Sequence, residues 1–409
     1  MSGINLFPRG VTDSATEDLG EHTSRLGPLP PVRSDFIDVL ERSRLRGRGG
    51  AAFPVGTKWR TVAGRRGRAP VVLVNGAEGE PLSHKDRRLM ETRPHLIMDG
   101  AAIAARAVDA AKIVYYIGAE HRSALAALKR ALSERPAEEQ RQSLVVVAPA
   151  QYVAGEESAA VHFVNDGIAL PTAVPPRPFE RGVDGRPTLV QNVETLAHVA
   201  MIARHGDAWF RALGDGAAAG TALITVSGAV PASSVIEVAQ GTTIRDAVRS
   251  AGGLVCDTRA VLLGGYFGGW IDADEAWELQ LDADSLKLQG RSLGCGVVGV
   301  LPAGACGVTT TARVMSYLAQ ESARQCGPCV FGLRAIAAST TRIAALDPRS
   351  VDLARIERWA GLLPGRGACH HPDGAAGFLQ SALRVFADEF ALHCQDRRCG
   401  LGDALQVAA

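Results

Sequence analysis

The sequence predicts an α/β fold followed by a smaller β-grasp domain and a helical C-terminal part. Three observations predict it. Strand-sized apolar runs alternate with helical segments in the first half of the chain, a glycine-rich stretch then precedes a hairpin-like segment, and the periodicity from Thr309 onwards is helical. Each pattern is typical of a different architecture, so the chain is expected to contain several domains.

The first pattern is the alternation of strands and helices. Branched apolar runs lie at 71–75, 113–118 and 143–148, and helical spacing fills 94–112 and 121–132 between them. This order is typical of βαβ units, whose strands pair in parallel. The first half is therefore expected to be an α/β layer with a mostly parallel sheet.

The second pattern begins after the glycines at 214–220. Residues 222–230 and 234–238 alternate in polarity like a hairpin, 242–250 has helical spacing, and 260–263 is a further strand-like run. Strand, strand, helix and strand in this order predict a small β-grasp domain. The four helical segments of the third pattern predict a four-helix bundle; they lie at 311–322, 330–346, 352–362 and 375–392. The predicted domains are 1–218, 219–300 and 301–409.

Composition narrows the functional classes. The chain has 409 residues, a net charge of +1 and 21% charged residues, which indicates neither a nucleic-acid partner nor an acidic membrane. The N-terminus is polar and the apolar runs are too short to span a bilayer, so a cytoplasmic protein is expected. Eight cysteines in such a protein favour metal, cluster or buried thiols over disulfides.

The stretch Gly47–Trp59, GRGGAAFPVGTKW, is the strongest candidate for a ligand-binding loop. It contains four glycines, the cations Arg48 and Lys58, and the aromatic residues Phe53 and Trp59. Glycines allow backbone N–H groups to approach an anion, cations suit a phosphate, and aromatic rings can stack on a base or a flavin. A helical segment precedes the loop where a dinucleotide fingerprint requires a strand, so a standard Rossmann crossover is not expected. A glycine-rich hairpin without a ligand is the alternative.

Acidic turns follow two of the predicted strands. Residues 76–81 contain Glu78 and Glu80, and residues 152–158 contain two further acids. Parallel sheets bind ligands at the carboxyl ends of their strands. These acids are therefore candidates for contacts with the same ligand.

The cysteines form a second candidate site. Cys326 and Cys329 make a CxxC pair, and Cys369 follows forty residues later. This spacing suits an iron–sulfur cluster, or zinc with His370 or Cys399 as fourth ligand. A redox-active dithiol and three buried thiols are the other interpretations.

Together these motifs resemble the NADH-binding flavoprotein subunit of respiratory complex I and its relatives in soluble hydrogenases and formate dehydrogenases. The resemblance runs in collinear order from Ser34 to Phe390. The family motifs GRGGAGFPTGxKW, NADEGEPGxxKDR, YxCGEET, NNVETL and ESCxxCxPCxxG, and the segment of the last cluster cysteine, correspond in turn to Gly47–Trp59, Asn75–Arg87, Tyr152–Ser158, Gln191–Leu196, Glu321–Gly332 and Gly365–Gln380.

The resemblance implies a Rossmann-like α/β domain for FMN and NADH, a β-grasp domain, and a four-helix bundle with a [4Fe-4S] cluster. The residues that would line FMN are Gly47, Arg48, Gly49, Lys58, Asn75, Gly155, Glu156, Asn192 and Thr195. Those that would face NADH are Gly50, Ala51, Phe53, Glu80, Glu157 and Phe179. Glu80 and Glu157 are the implied catalytic acids, and Glu78 and Tyr152 belong to the same cofactor-binding segments.

Three positions depart from the family pattern. Ala323 stands where the family has its first cluster cysteine, Ala77 replaces an aspartate near the flavin, and Ala154 replaces a cysteine. A cluster on Cys326, Cys329 and Cys369 would then need a fourth ligand, and Cys399 is expected to supply it. Cys394, His370, Cys295, Cys306 and water are the alternatives, and so are a zinc site and a vestigial one.

The implied function is transfer of a hydride from NADH to FMN, followed by single-electron transfer to an iron–sulfur partner. The partner would be a ferredoxin or a thioredoxin-fold [2Fe-2S] subunit. NADH is favoured over NADPH because Glu80 and Glu157 place negative charge at the nucleotide site. The alternatives are a cluster-less reductase of a small acceptor or a quinone, and a catalytically silent assembly subunit.

Overall fold

The computed structural model describes residues 6–7, 15–214 and 218–401. They divide into two compact units. The first contains the chain up to Gly79 together with Ser83–Ile224 and Glu237–Thr242, and the second contains Glu80–Leu82, Thr225–Ile236 and the residues from Thr243 onwards.

The first unit is an α/β layer around a four-stranded sheet. Its strands are β1 Val71–Gly76, β2 Lys112–Gly118, β3 Ser143–Ala148 and β4 Thr188–Asn192. Its helices are α1 Leu19–Leu26, α2 Phe36–Ser43, α3 Val55–Ala63, α4 Lys85–Thr92, α5 Pro94–Ala107, α6 Arg122–Glu134, α7 Ala137–Gln142, α8 Glu157–Asp166, α9 Val193–His205 and α10 Asp207–Arg211. Short 3₁₀ turns lie at Tyr152–Gly155 and Val183–Gly185.

The sheet has the order β3-β2-β1-β4, and all three pairings are parallel. This confirms the predicted parallel sheet, while β4 adds a strand that the sequence analysis did not predict. The four valine and leucine residues that open β1 are fully buried, as expected for a central strand covered on both faces. All four strands therefore end at one edge.

Helix α5 crosses α9 at very short range. A Cβ atom on Gly100 of α5 would lie 2.0 Å from the carbonyl oxygen of Leu196 in α9. Only a glycine permits this approach, and nearly every residue of α5 is buried. The contact fixes α9, whose first turn follows directly from the end of β4.

The second unit contains most of a five-stranded sheet and the helices that follow its strands in the chain. The strands are β5 Thr221–Gly228, β6 Ser234–Ala239, β7 Thr258–Leu263, β8 Gly269–Asp272 and β9 Val297–Pro302, in the order β6-β5-β9-β7-β8. The first residues of β5 and the last of β6 belong to the first unit. The short helices of this part are α11 Ile244–Ser250, α12 Ala273–Ala276 and α13 Ala283–Leu288.

The helices that follow are α14 Gly307–Gln320, α15 Arg334–Ala344, α16 Asp352–Leu362, α17 His371–Val385 and α18 Ala387–Gln395. A π-helical turn, Pro328–Leu333, precedes α15. The segment 375–392, predicted as one helix, breaks at the buried Phe386, whose ring packs edge-on against Trp270 with centroids 5.3 Å apart. Arg259 of β7 pairs with Glu389 of α18, so sheet and helices share one core. Within the described residues, no helix combines the length and apolarity that a membrane span requires.

We predict that Gly100→Ala lowers the melting temperature of the protein. The added methyl group must push α9 away, although alanine is intrinsically the better helix former by about 1 kcal/mol. Gly377→Ala is the matched control, because Gly377 is an exposed glycine inside α17 with no atom within 4 Å of the added Cβ. Calorimetry should show opposite shifts for the two variants. A stabilised Gly100→Ala protein would contradict the close crossing.

Candidate functional site

The carboxyl edge of the parallel sheet brings together the two asparagines predicted to bind the cofactor. Asn75 is the penultimate residue of β1, Asn192 is the last residue of β4, and the two residues are paired in register. The Asn75 amide donates to the carbonyl oxygen of Gly155 (2.9 Å), and the Asn192 side chain accepts from the backbone N–H of Glu194 (2.9 Å), which caps α9. The two strand ends therefore organise the segments on either side of them.

The glycine loop lies against this edge and is closed by its own backbone. The N–H of Gly47 donates to the carbonyl of Phe53 (2.9 Å), and α3 begins at Val55, so Lys58 and Trp59 lie in this helix and not in the loop. The N–H of Arg48 donates to Oγ1 of Thr195 (2.9 Å), in the first turn of α9. A Cβ on Gly49 would lie 3.3 Å from Cβ of Asn192. The loop, β4 and the start of α9 thus form one assembly, and the helix before the loop confirms that the crossover is not of the standard Rossmann type.

The guanidinium of Arg48 lies in the interior of the unit. It is buried, donates to the carbonyl of Thr221 (2.8 Å) and lies 3.7 Å from the carboxylate of Glu194. The positive charge of Arg48, which was expected to contact a phosphate, therefore interacts with groups inside the protein.

Lys58, expected to line FMN, and Glu157, expected to face NADH, form an ion pair. The Lys58 ammonium lies 2.5 Å from Oε2 of Glu157, and both side chains are partly exposed. Glu157 is the first residue of α8, while the preceding Glu156 caps that helix by accepting from the N–H groups of Ser158 (2.9 Å) and Ala159 (3.0 Å). Glu156 therefore has a structural role, and the Lys58–Glu157 pair supplies accessible charge.

Two glycines let the strand ends and the Tyr152 turn approach each other. A Cβ on Gly155 would lie 2.6 Å from the carbonyl oxygen of Ala77, and a Cβ on Gly79 would lie 2.7 Å from that of Tyr152. Both contacts are between backbones, so a larger residue would force the segments apart. The Tyr152–Gly155 turn is thereby held beside the end of β1.

The predicted ligand residue Glu78 serves as a cap for α4. One carboxylate oxygen accepts from the hydroxyl of Ser83 (2.5 Å) and the N–H of Asp86 (3.1 Å), and the other accepts from the N–H of Arg87 (2.9 Å). These bonds satisfy the N-terminus of the helix. They give Glu78 a structural explanation that the sequence analysis did not foresee.

The sequence patterns did not predict a buried cluster of charged residues near the ends of the strands. Lys85 lies 2.7 Å from the carboxylate of Asp86 and 2.8 Å from that of Glu194, and all three are buried. Burial alone would raise the pKa of Glu194, but Lys85, His198 and Arg48 hold it at about 2. Burial, together with the charges of Glu78 and Glu194, raises the pKa of Asp86. Asp86 accepts from the Asn192 amide (2.6 Å), so the cluster supports the cofactor edge from beneath.

Of the aromatic candidates, Trp59 is fully buried in α3 and cannot stack on a ligand, whereas Phe53 and Phe179 are accessible. Phe53 is 52% exposed at the end of the glycine loop. Phe179 is partly exposed, and the guanidinium of Arg65 lies 5.0 Å from its ring centroid. Gly50, with φ of +108°, and Ala51 form the turn before Phe53. Glu80 belongs to the second unit, where its carboxylate accepts from the N–H of Tyr266 (2.9 Å).

Cys326, Cys329 and Cys369 lie close enough to influence one another electrostatically. Cys329 is buried in the π-helical turn. Burial raises the pKa of its thiol to about 12, and the neighbouring thiols Cys326 and Cys369 contribute to the rise. Cysteine sulfurs are the usual ligands of iron–sulfur clusters, and the residues present are therefore chemically suited to one.

The structure places Cys399 in a second group of potential metal ligands. Its thiol belongs to a group with Cys306 and His393, whose ligand atoms all lie within 4.8 Å of one another. Nδ1 of His393 donates to the carbonyl of Ile343 (3.0 Å), so Nε2 faces the Cys306 sulfur at 3.5 Å. Cys306 is also bound locally, as the cap of α14. This neighbourhood gives no support to Cys399 as the fourth ligand of the other three cysteines.

Comparisons with known proteins identify related domains and related chains. Residues 40–201 match the Nuo51 FMN-binding domain, and residues 309–393 match the NADH-ubiquinone oxidoreductase-F iron-sulfur binding region. An F-type subunit of the NADH-quinone oxidoreductase of Rhizobium meliloti is 33% identical over 91% of both chains. The HndC subunit of the NADP-reducing hydrogenase of Solidesulfovibrio fructosivorans is 28% identical over 91% of this chain and 78% of its own length.

Solved structures show the same similarity. A NAD⁺-reducing [NiFe]-hydrogenase in its H₂-reduced state matches with a TM-score of 0.80 and 30% identity. The match covers 90% of this chain and 63% of that hydrogenase chain. The air-oxidised state of such a hydrogenase matches with a TM-score of 0.82 and 29% identity, over 96% of this chain and 69% of the other.

Proposed function

Since this chain belongs to the family of NADH-binding flavoproteins that includes the F-type subunits of NADH-quinone oxidoreductase, we propose that it oxidises NADH with FMN in the cytoplasm. The electrons would pass singly to an iron–sulfur partner, a ferredoxin or a thioredoxin-fold [2Fe-2S] subunit. The observation that carries the proposal is the meeting of the glycine loop with Asn75 and Asn192 at one sheet edge. FMN, when bound, supplies the change from hydride to single-electron transfer.

The residues at this edge fit a flavin nucleotide. The amides of Asn75 and Asn192 and the backbone of the glycine loop offer hydrogen bonds to a polar ring edge. Of the two cations in the stretch Gly47–Trp59, Arg48 binds groups in the interior. We therefore assign the contact with the FMN phosphate to Lys58. Its present partner, Glu157, would then be released to accept hydrogen bonds from NADH.

We assign the nicotinamide nucleotide to Phe53, Phe179 and the acids Glu80 and Glu157. Carboxylates can accept from ribose hydroxyls and from the nicotinamide amide, and they repel the additional phosphate of NADPH. The relative HndC is named as a subunit of an NADP-reducing hydrogenase. The nucleotide preference of this chain therefore needs a direct test.

We predict that NADH bleaches the flavin faster than NADPH does at equal concentration. Stopped-flow absorbance on the purified holoprotein measures both rates. Glu157→Gln should narrow the difference because it removes one repelling charge, whereas Glu278→Gln, on an exposed carboxylate paired with Arg245, should leave it unchanged. Equal rates for the wild-type protein would mean that the acids do not face the ribose.

We also predict that Lys58→Ala weakens flavin binding about tenfold or more, since losing a charged phosphate contact costs ~1.5–3 kcal/mol. Lys112→Ala is the control, because Lys112 also pairs with a carboxylate (Asp184, 2.6 Å) but lies at the start of β2. Flavin content after dialysis, read by absorbance and fluorescence, is the measurement. Full occupancy in Lys58→Ala would refute the assignment.

For the second unit we propose a β-grasp domain followed by a helical bundle that holds a [4Fe-4S] cluster on Cys326, Cys329 and Cys369. Three thiolates can hold a cluster whose fourth ligand is not cysteine. The Cys306–His393–Cys399 group lies outside this set. Two thiols and an imidazole are a donor set typical of zinc. Measuring the iron and zinc contents of the protein therefore distinguishes this group from an iron–sulfur cluster.

We predict that Cys326→Ser loses iron and the EPR signal of the dithionite-reduced protein, while Cys399→Ser keeps both. Metal analysis of anaerobically purified protein gives the iron and zinc contents. Cys256→Ser is the control, since Cys256 is exposed and outside both groups. Iron loss in Cys399→Ser would restore that residue as the fourth ligand. A wild-type protein without iron would favour direct reduction of an acceptor by the flavin, the alternative that Ala323 suggests.

A further inference from the structure

The loop Gly264–Gly268, between β7 and β8, holds the carboxylate of Glu80. Oε2 accepts from the backbone N–H of Tyr266 (2.9 Å), and Oε1 accepts from the N–H of Leu82 (3.3 Å). Glu80 is only 8% exposed. Each carboxylate oxygen therefore has a backbone donor, which fixes the orientation of the group. A carboxylate oxygen can accept more than one hydrogen bond, so this anchoring is compatible with a ligand contact.

Gly265 makes this approach possible. Its φ is +85°, and a Cβ atom would lie 2.7 Å from the carboxyl carbon of Glu80 and 2.8 Å from Sγ of Cys295. Cys295 in turn donates its thiol to the carbonyl of Gly264 (3.3 Å). A side chain at position 265 would thus strain the backbone and displace the carboxylate at the same time.

The aromatic tip of the loop is anchored to two helices. The ring of Tyr266 packs edge-on against Tyr317 of α14, with centroids 5.6 Å apart, and the ring of Phe267 packs edge-on against His371 of α17 at 5.3 Å. Nε2 of His371 donates to the carbonyl of Leu318 in α14 (2.7 Å). The two anchors are therefore tied to each other, and the loop has little freedom to follow a displaced Glu80.

We infer that Gly265 and Tyr266 are positioning residues that set the affinity for the nicotinamide nucleotide by orienting Glu80. The inference rests on the proposed function, in which Glu80 accepts a hydrogen bond from NADH. A correctly aimed acceptor binds the nucleotide in the ground state and in the transition state alike, so its displacement raises KM and leaves kcat nearly unchanged. The loop itself contributes no group to the chemistry.

The test is Gly265→Ala in the full-length holoprotein, with flavin bleaching followed against NADH concentration. The half-saturating NADH concentration should rise about tenfold, the effect of losing one hydrogen bond to a charged group, while the limiting rate stays within about twofold. Gly253→Ala is the matched control, because Gly253 has φ of +80° but no atom within 4 Å of the added Cβ. It carries the same backbone strain without touching Glu80.

A Glu80→Gln background separates positioning from general damage. If Gly265 acts through Glu80, adding Gly265→Ala to Glu80→Gln should raise the half-saturating concentration much less than it does in the wild-type background. Full additivity would overturn the inference, as would equal behaviour of Gly265→Ala and Gly253→Ala.

Two further results complete the test. If Gly265→Ala does not fold, Tyr266→Ala replaces it; that variant removes the ring contact with Tyr317 and keeps the N–H. It should raise half-saturation in the same direction, and an unchanged value would overturn the inference. If NADH does not bleach the wild-type flavin, the proposed function fails and the inference fails with it. Normal bleaching with unaffected variants removes the inference alone.

Discussion

The register of β1 against β4 is the constraint on which the candidate cofactor site depends. It sets Asn75 beside Asn192, and each asparagine then fixes a further segment: Asn75 holds the backbone of Gly155, and Asn192 caps α9. If one strand slipped by one residue against the other, the side chains of Asn75 and Asn192 would lie on opposite faces of the sheet. The first turn of α9 receives the glycine loop through Thr195. The position of the loop thus depends on strand pairing as well as on the anchoring of its own Arg48.

A group of buried charged residues lies next to this edge of the sheet and stabilises the segments that form it. Lys85 lies between the carboxylates of Asp86 and Glu194, and Arg48 approaches Glu194 from the loop side. Removing one partner from such a group leaves an uncompensated buried charge, which costs several kcal/mol. The group therefore holds the loop, α4 and α9 in one arrangement. Its electrostatic coupling also extends to the Asn192 amide through Asp86.

The sequence predicted three strands of the first sheet because each is a compact run of branched apolar residues. It did not predict β4, since Thr188–Asn192 contains two amide residues and follows a proline-rich loop. It also assigned Arg48 to a phosphate, because no local pattern tells whether a charged side chain points inward. The Cys306–His393 contact joins residues 87 positions apart, and only the fold could bring them together. Motif order was sufficient for the family, whereas side-chain partners required the structure.

The division of the chain between the two units limits how the protein can be dissected. The backbone passes from one unit to the other five times, at 79/80, 82/83, 224/225, 236/237 and 242/243. No uninterrupted segment therefore corresponds to one whole unit alone. A fragment ending at Ile224 would lack Glu237, whose carboxylate accepts from the hydroxyl of Thr221 (2.6 Å), the residue whose carbonyl receives the Arg48 guanidinium. The anchoring of Arg48, and with it the glycine loop, therefore depends on a segment that lies after the first crossing points in the chain.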